Sequence, residues 1–277
     1  MRTVADHSIA HPDFMAASLN PEFSRYGLPA FGGSADPFWN LVLQDCHDAD
    51  VVVVNSQFVS DTFQAHGFPA ERIRVAYWGV RQDFLALKTI YPQPRFIRIL
   101  FTGSFSVRKG AGYLLDALNK LDPGRNRYRL TVVGAVDEFE PIRRFHSVSD
   151  HDTFVGPVLQ DRLKEYLRDS DLYVFPTLCE GCAQSAMEAL AAGIPVVTTA
   201  ECGLPAVSGE HACIVQSRSV DALASAIQNL ADNRDLREHI GRNGASLVAR
   251  DFSWQHLGMN IRRIHEELCS HSQIASV

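Results

Sequence analysis

Apolar residues between positions 51 and 199 alternate between short β-branched runs and longer amphipathic stretches. The four valines at 51–54 are typical of a strand that is buried on both faces. The leucines between 114 and 121 recur at helical spacing, which indicates one buried helix face. Because strands alternate with helices throughout this region, the sequence predicts a parallel α/β fold.

The same pattern places the individual elements. Strands are predicted at 51–54, 74–77, 97–102, 128–133, 171–175 and 194–199. Helices are predicted at 58–66, 111–121, 160–168, 184–192, 219–231 and 236–250, with a last helix from 254 to about 269. The elements after residue 96 are sufficient for a complete doubly wound domain.

Two prolines interrupt the stretch 88–95, and proline fits neither a central strand nor a helix interior. We therefore predict an interdomain linker there. It separates a first lobe over 1–87 from a second domain over 96–252, and a C-terminal helix over 253–277 can cross back to the first lobe.

The first lobe is expected to be partial. A doubly wound lobe needs about five or six strands, with some 30 residues for each βα unit, so 1–87 holds only about three units. We expect the beginning of this lobe to be absent from the chain, leaving an unpaired sheet edge and apolar surface near 51–54.

The loop 103–110, Gly-Ser-Phe-Ser-Val-Arg-Lys-Gly, follows a predicted strand and opens a predicted helix. Gly103 allows a tight turn, and Arg108 and Lys109 place two cations beside the helix N-terminus. Such an arrangement suits a diphosphate. A solvated basic turn is the alternative.

A second loop carries two carboxylates. Glu180 lies beyond the carboxyl end of a predicted strand, and Glu188 lies about one turn into the next helix, so both can face one crevice. A carboxylate accepts two hydrogen bonds from a vicinal diol, which a ribose or a hexose offers. Two surface glutamates are the alternative.

Together, the 103–110 loop, the E-x7-E spacing and the A-x-G-x-P-V-V segment at 191–197 resemble glycosyltransferase family 4 and its GT-B relatives. The resemblance extends from about 45 to 254. It implies an α/β fold of the GT-B type, with a complete C-terminal Rossmann-like domain and a partial N-terminal Rossmann-like lobe. It also implies transfer of a hexose from a nucleoside-diphosphate sugar, with retention of configuration.

The resemblance also implies roles for residues. Glu180 would contact the donor sugar, and His7 would face it as a second catalytic residue, although His11 competes for that role. The implied donor-binding residues are Gly103, Arg108, Lys109, Val158, Ala183, Gln184, Ser185 and Glu188. Among these, Arg108 and Lys109 would bind the diphosphate and Glu188 the ribose diol. Many members have Phe-Gly after the Gly181 position, whereas this chain has Cys-Ala.

The composition of the chain limits the kinds of partner and the location that we expect for it. The 26 Lys and Arg against 32 Asp and Glu give a net charge of −6, which argues against general nucleic-acid binding. No run approaches the roughly 18 apolar residues of a membrane span, so we expect a cytoplasmic protein that can associate peripherally with a membrane. The six scattered cysteines suit reduced thiols.

We expect no cofactor and no metal, because neither aspartate pair, Asp48 with Asp50 or Asp150 with Asp152, gathers the oxygen ligands that a divalent ion needs. The predicted partners are a nucleotide sugar and an unidentified glycan, lipid or small-molecule acceptor. Self-association, or a complementing chain, is expected through the incomplete first lobe. A donor-nucleotide-binding module without transferase activity is the alternative function. A nicotinamide dehydrogenase is disfavoured because no G-x-G-x-x-G follows a strand.

Overall fold

The computed structural model describes residues 2–274, with side chains as far as residue 270. The strands are β1 Val4–His7, β2 Val51–Val54, β3 Ile73–Val75, β4 Ile97–Thr102, β5 Tyr128–Val133, β6 Thr153–Phe154, β7 Leu172–Phe175, β8 Val196–Thr199 and β9 Cys213–Val215. The helices are α1 Pro12–Tyr26, α2 Pro37–Asp48, α3 Gln57–Ala65, α4 Ala111–Leu121, α5 Phe139–Arg143, α6 Gln160–Asp169, α7 Gln184–Ala192, α8 Val220–Asp232, α9 Arg234–Asp251 and α10 Trp254–Ile274.

The first lobe is built on a parallel sheet with the order β1-β2-β3. Its central strand β2 pairs with β1 and β3, and all four of its valines are buried. Ser56 then caps α3 through a hydrogen bond from the amide of Val59 to its hydroxyl. The expectation of an unpaired edge near 51–54 is therefore wrong, because β1 and β3 are the edge strands of this sheet.

The second domain contains a parallel sheet with the order β6-β5-β4-β7-β8-β9. Its strand order reverses between β4 and β7, which pair directly through Ile99 and Leu100. Ligands of open α/β sheets bind at such a switch point, beyond the carboxyl ends of the strands. The loop after β4 carries Arg108 and Lys109, and the loop after β7 carries Glu180, so the fold brings both sequence motifs to this point.

Helix α1 of the first lobe packs against the second domain. The hydroxyl of Tyr26 lies 2.6 Å from Nε2 of His146, and the hydroxyl of Tyr113 donates to Glu22 at 2.7 Å. In the opposite direction, α10 returns to the first lobe, where Ile264 packs against β2. The two lobes therefore meet through contacts on both sides of residues 85–96, which connect them without a helix or strand.

Several predicted elements match the structure at both ends, among them β4, β5, α4 and α7. The sequence pattern missed β1, α1, α2, α5, β6 and β9. Helix α1 contains an internal proline, Pro21, and its buried face includes the acidic Glu22. Both features weaken a pattern based on hydrophobic spacing.

Candidate functional site

The loop Gly103–Gly110 is held rigidly at the end of β4. The amide of Phe105 donates to the carbonyl of Ala135 at 2.7 Å, and that of Val107 donates to the Glu138 carboxylate at 2.7 Å. The carbonyl of Arg108 accepts from the amide of Leu178 at 2.9 Å, which ties the loop to the segment after β7. These bonds fix the position from which the side chains of Arg108 and Lys109 project.

Three glycines lie just beyond the ends of neighbouring strands. Gly103, Gly134 and Gly156 follow β4, β5 and β6, with φ angles of 102°, 144° and 79°. A Cβ on Gly134 would overlap the carbonyl oxygen of Gly103, and a Cβ on Gly103 would lie 2.9 Å from Nζ of Lys109. These three glycines thus form a surface without side chains, here called the glycine floor, and the Lys109 ammonium lies over it.

The two cations of the loop meet a carboxylate. Nη1 of Arg108 lies 2.8 Å from Oε1 of Glu180, and Nζ of Lys109 lies 3.7 Å from the same oxygen. The Arg108 contact lacks hydrogen-bond alignment, since Oε1 has no aligned donor within the described residues. The exposed fraction of the side chain is 28% for Arg108, 16% for Lys109 and 14% for Glu180. Burial lowers the pKa of Lys109, and the Glu180 charge opposes that shift.

The backbone beneath Glu180 is fixed by both lobes. Its amide donates to the carbonyl of Glu201 at 3.0 Å. The next residue is Gly181, whose carbonyl accepts a 2.6 Å hydrogen bond from the hydroxyl of Ser56 in the first lobe. A Cβ on Gly181 would overlap the carbonyl oxygen of Ser8, so this close approach requires glycine.

Helix α7 begins beside this cluster with unsatisfied amides. Ala183 occupies the N-cap position without a side-chain cap, and no acceptor in residues 2–274 takes the amides of Gln184 and Ser185. Their N–H groups and the helix dipole favour an anion there. The side chains of both residues are engaged: Gln184 donates to the carbonyl of Gly79, and Ser185 bonds the hydroxyl of Tyr173.

Glu188 lies in a different environment from Glu180. Burial raises its pKa to about 7, while the charge of Arg81 lowers it and that of Asp83 raises it. Arg81 bonds Asp83 at 2.6 Å and also contacts Gln160 at the start of α6. Arg81 and Asp83, in the segment after β3, were not among the predicted site residues. No sequence signal separates them from ordinary exposed charges.

The two candidate histidines are both buried but differ in their partners. Nδ1 of His11 accepts the amide of Asp13 at 3.2 Å at the N-cap of α1, and its ring stacks on His66 at 4.2 Å. Nε2 of His7 has no hydrogen-bond partner within the described residues, and its ring meets that of Phe63 edge-on. Burial lowers the pKa of each to about 4, so both are neutral at pH 7. His11 is committed to capping a helix, whereas His7 retains a free nitrogen.

The last predicted site residue, Val158, is half-buried against the core of the second domain, two residues after Gly156. Cys179 and Cys182, which are separated by two residues in the sequence, are free and buried, and burial raises the pKa of both thiols. Such thiols react poorly, as expected of ordinary core cysteines.

Residues 97–233, which carry both motif loops, match the family described as "Glycosyl transferases group 1". The whole-chain fold agrees with it: sucrose-phosphate synthase from Thermosynechococcus elongatus superimposes with a TM-score of 0.73 and 21% identity, covering 96% of this chain and 68% of that one. The chain therefore has the GT-B fold, and its second domain matches a glycosyltransferase family. An Anabaena HepE structure in complex with UDP and glucose is similar to this GT-B chain, with a TM-score of 0.72, 18% identity and coverage of 98% and 72%.

Curated relatives agree with this assignment. An uncharacterized glycosyltransferase of Methanocaldococcus jannaschii is 25% identical over 80% of this GT-B chain and 60% of its own length. A GDP-mannose-dependent alpha-(1-6)-phosphatidylinositol monomannoside mannosyltransferase of Mycobacterium tuberculosis is 28% identical over 83% of this chain and 65% of its own length. The chain thus spans less than two thirds of each relative.

Two kinds of feature are absent from the part of the chain that the structure describes. Within 2–274, no helix is both long and apolar enough to cross a bilayer. Over the same part of the chain, no group of three or more His, Cys, Asp or Glu side chains is placed to hold a metal ion.

Proposed function

We propose that this GT-B chain transfers a hexose from a nucleoside-diphosphate sugar to an acceptor, with retention of configuration and without a metal ion. The observation that carries the proposal is the convergence of Arg108, Lys109 and the free amides of α7 at the strand-order switch point. Two relatives support a nucleotide-sugar donor, since one is described as GDP-mannose-dependent and one was crystallised with UDP and glucose.

In the proposed mechanism, the donor diphosphate lies over the glycine floor between the cations and the start of α7. Negative charge grows on the diphosphate as the bond to the sugar breaks, so Arg108, Lys109 and the helix dipole would stabilise the transition state. Glu180 would contact the sugar, and Glu188 the ribose diol. The free nitrogen of His7 supports its assignment over His11 to the sugar side of the cleft.

The proposal is tested first by binding. Calorimetry with UDP and GDP should give the same affinity in excess chelator as in magnesium, because side-chain cations supply the positive charge. Loss of binding on adding chelator would refute the metal-independent site. Incubation with UDP-glucose and GDP-mannose, with and without candidate acceptors, then measures turnover. Tight nucleotide binding without hydrolysis or transfer would support the binding-module alternative instead.

Nucleotide affinity should depend on pH through Glu188. Its folded pKa of about 7 means that it is mostly protonated at pH 6 and mostly ionised at pH 8. The ionised form accepts both hydrogen bonds of a ribose diol, so UDP or GDP affinity should rise between these values. Glu188→Gln should weaken binding at pH 8 by about 1–3 kcal/mol and flatten this rise.

The pH experiment has an internal comparison. Phosphate ionisation of the nucleotide itself also changes near pH 6, and this contribution is common to the wild type and the variant. Subtracting the two profiles therefore isolates Glu188. Identical slopes for both proteins would remove Glu188 from the ribose site.

We also propose that the chain self-associates through the first lobe. Strand β1 is an edge strand, and Val4 on it is 51% exposed, while Phe38 and Leu41 on the adjoining α2 are exposed as well. An open edge beside apolar surface favours pairing between two copies. Light scattering should show a dimer that Phe38→Asp with Leu41→Asp dissociates, whereas Ile90→Asp, at an exposed apolar residue elsewhere, does not. A wild-type monomer at high concentration would contradict this.

A further inference from the structure

We propose that the Glu180 carboxylate occupies the diphosphate position when no donor is bound, and that donor binding displaces it toward the sugar. This inference rests on the proposed function, since it assigns a second task to a residue of the same site. The geometry behind it is the shared contact of Oε1 with Arg108 at 2.8 Å and with Lys109 at 3.7 Å. An anion already lies where the two cations converge.

Charge explains why such an occupant is useful. Two cations held close together and largely removed from water repel each other, and the charge of Arg108 lowers the pKa of Lys109. A carboxylate between them relieves the repulsion until a more highly charged anion arrives. A diphosphate carries more charge and more acceptor oxygens than one carboxylate, so it can displace Glu180 from both cations.

The surroundings restrict how Glu180 can move. The Glu180 amide is bonded to Glu201, and Gly181 is held by Ser56 and by its close packing on Ser8. The backbone is therefore fixed from both lobes, and the carboxylate moves by side-chain rotation. Its contact with Arg108 lacks hydrogen-bond alignment, whereas the Arg108 guanidinium donates a separate 3.0 Å bond to the carbonyl of Cys179. Arg108 thus keeps its position when Glu180 leaves.

Displacement couples the two halves of the donor. Once the diphosphate binds, the released carboxylate needs new hydrogen-bond donors, and the hydroxyls of a sugar attached to that diphosphate supply them. A nucleotide without a sugar must also displace the Glu180 carboxylate, but it offers that carboxylate no new hydrogen-bond donors. The wild-type protein should therefore favour the sugar-bearing donor over the free nucleoside diphosphate.

The test compares UDP and UDP-glucose, and GDP and GDP-mannose, by calorimetry on the full chain. Glu180→Gln removes the internal anion, so the free nucleoside diphosphate should bind about three- to tenfold more tightly, as for loss of a partly exposed ion pair. The preference for the sugar-bearing donor should shrink in the same variant. Loss of a simple sugar contact would lower the preference for the sugar-bearing donor without raising the affinity for the free nucleoside diphosphate. Displacement predicts both changes together.

Glu201→Gln is the matched control, because it removes one negative charge from the neighbouring segment and Glu201 contacts Ser217 rather than either cation. It should change neither affinity. Unchanged or weaker nucleoside diphosphate binding by Glu180→Gln, with the wild type binding normally, overturns the displacement. Absence of nucleotide binding by every protein, wild type included, refutes the proposed function instead.

Discussion

Replacing Arg108 and Lys109 together with alanine should weaken nucleoside diphosphate binding by about 3–6 kcal/mol, since each charge-assisted contact contributes roughly 1.5–3 kcal/mol. Each single variant should lose about half of this. The affinity for the unphosphorylated nucleoside should change far less, because Glu188 and the glycine floor are the same in the variant. Calorimetry with UDP and uridine, and with GDP and guanosine, measures the difference directly.

The double variant needs a control for charge and for folding. Lys120→Ala with Arg127→Ala removes the same two charges, at side chains whose carboxylate partners are Asp221 and Asp232. That pair of substitutions should leave affinity unchanged. The site variant leaves Glu180 partly buried without its cations, so its melting curve must be recorded alongside. Equal losses for nucleoside and nucleoside diphosphate would exclude a phosphate role for the loop.

The sequence was sufficient to predict the convergence of the two motif loops, because it depends on strand order. Strand β7 is buried throughout and β4 is buried apart from Arg98, and the loops that follow them carry Gly103 with the cations and Glu180. Parallel strands place such loops at one edge of a sheet. Neither the E-x7-E spacing nor the helix pattern, however, predicted that Glu180 would pair with both cations.

What the sequence did not predict depends on contacts between distant segments. Glu188 was expected to face the same crevice as Glu180. Besides burial, the charges that shift its pKa are those of Arg81 and Asp83, more than a hundred positions earlier, and the sequence did not point to them. The packing of α1 on the second domain likewise depends on Glu22. This acidic residue is buried, and it is paired there with Tyr113 and Arg218. Burial of a charged side chain through such partners has no local signature.

The loop 150–152 is a second place where a buried charge was not predicted from the sequence. Its Asp152 has a structural role rather than a role in the candidate site. In the sequence, Asp150-His151-Asp152 is a polar loop and lacks the ligands of a metal site. In the structure, the side chains of Asp152 and Arg125 are both fully buried and form an ion pair at 3.0 Å. Asp152 also accepts the amide of Ser149 at 3.0 Å. It therefore joins the segment before β6 to the turn before β5.

Asp152→Ala should lower the free energy of unfolding by about 3–5 kcal/mol, because it leaves the buried Arg125 guanidinium without its counter-charge. Urea denaturation followed by circular dichroism measures the loss. Asp251→Ala breaks an exposed pair with Arg250 and should leave the midpoint nearly unchanged. Substituting both partners by apolar residues, Arg125→Met with Asp152→Leu, should recover much of the stability, since no unpaired charge then remains buried. A double variant as unstable as Asp152→Ala alone would show that the cost comes from packing or the Ser149 bond, not from the stranded charge.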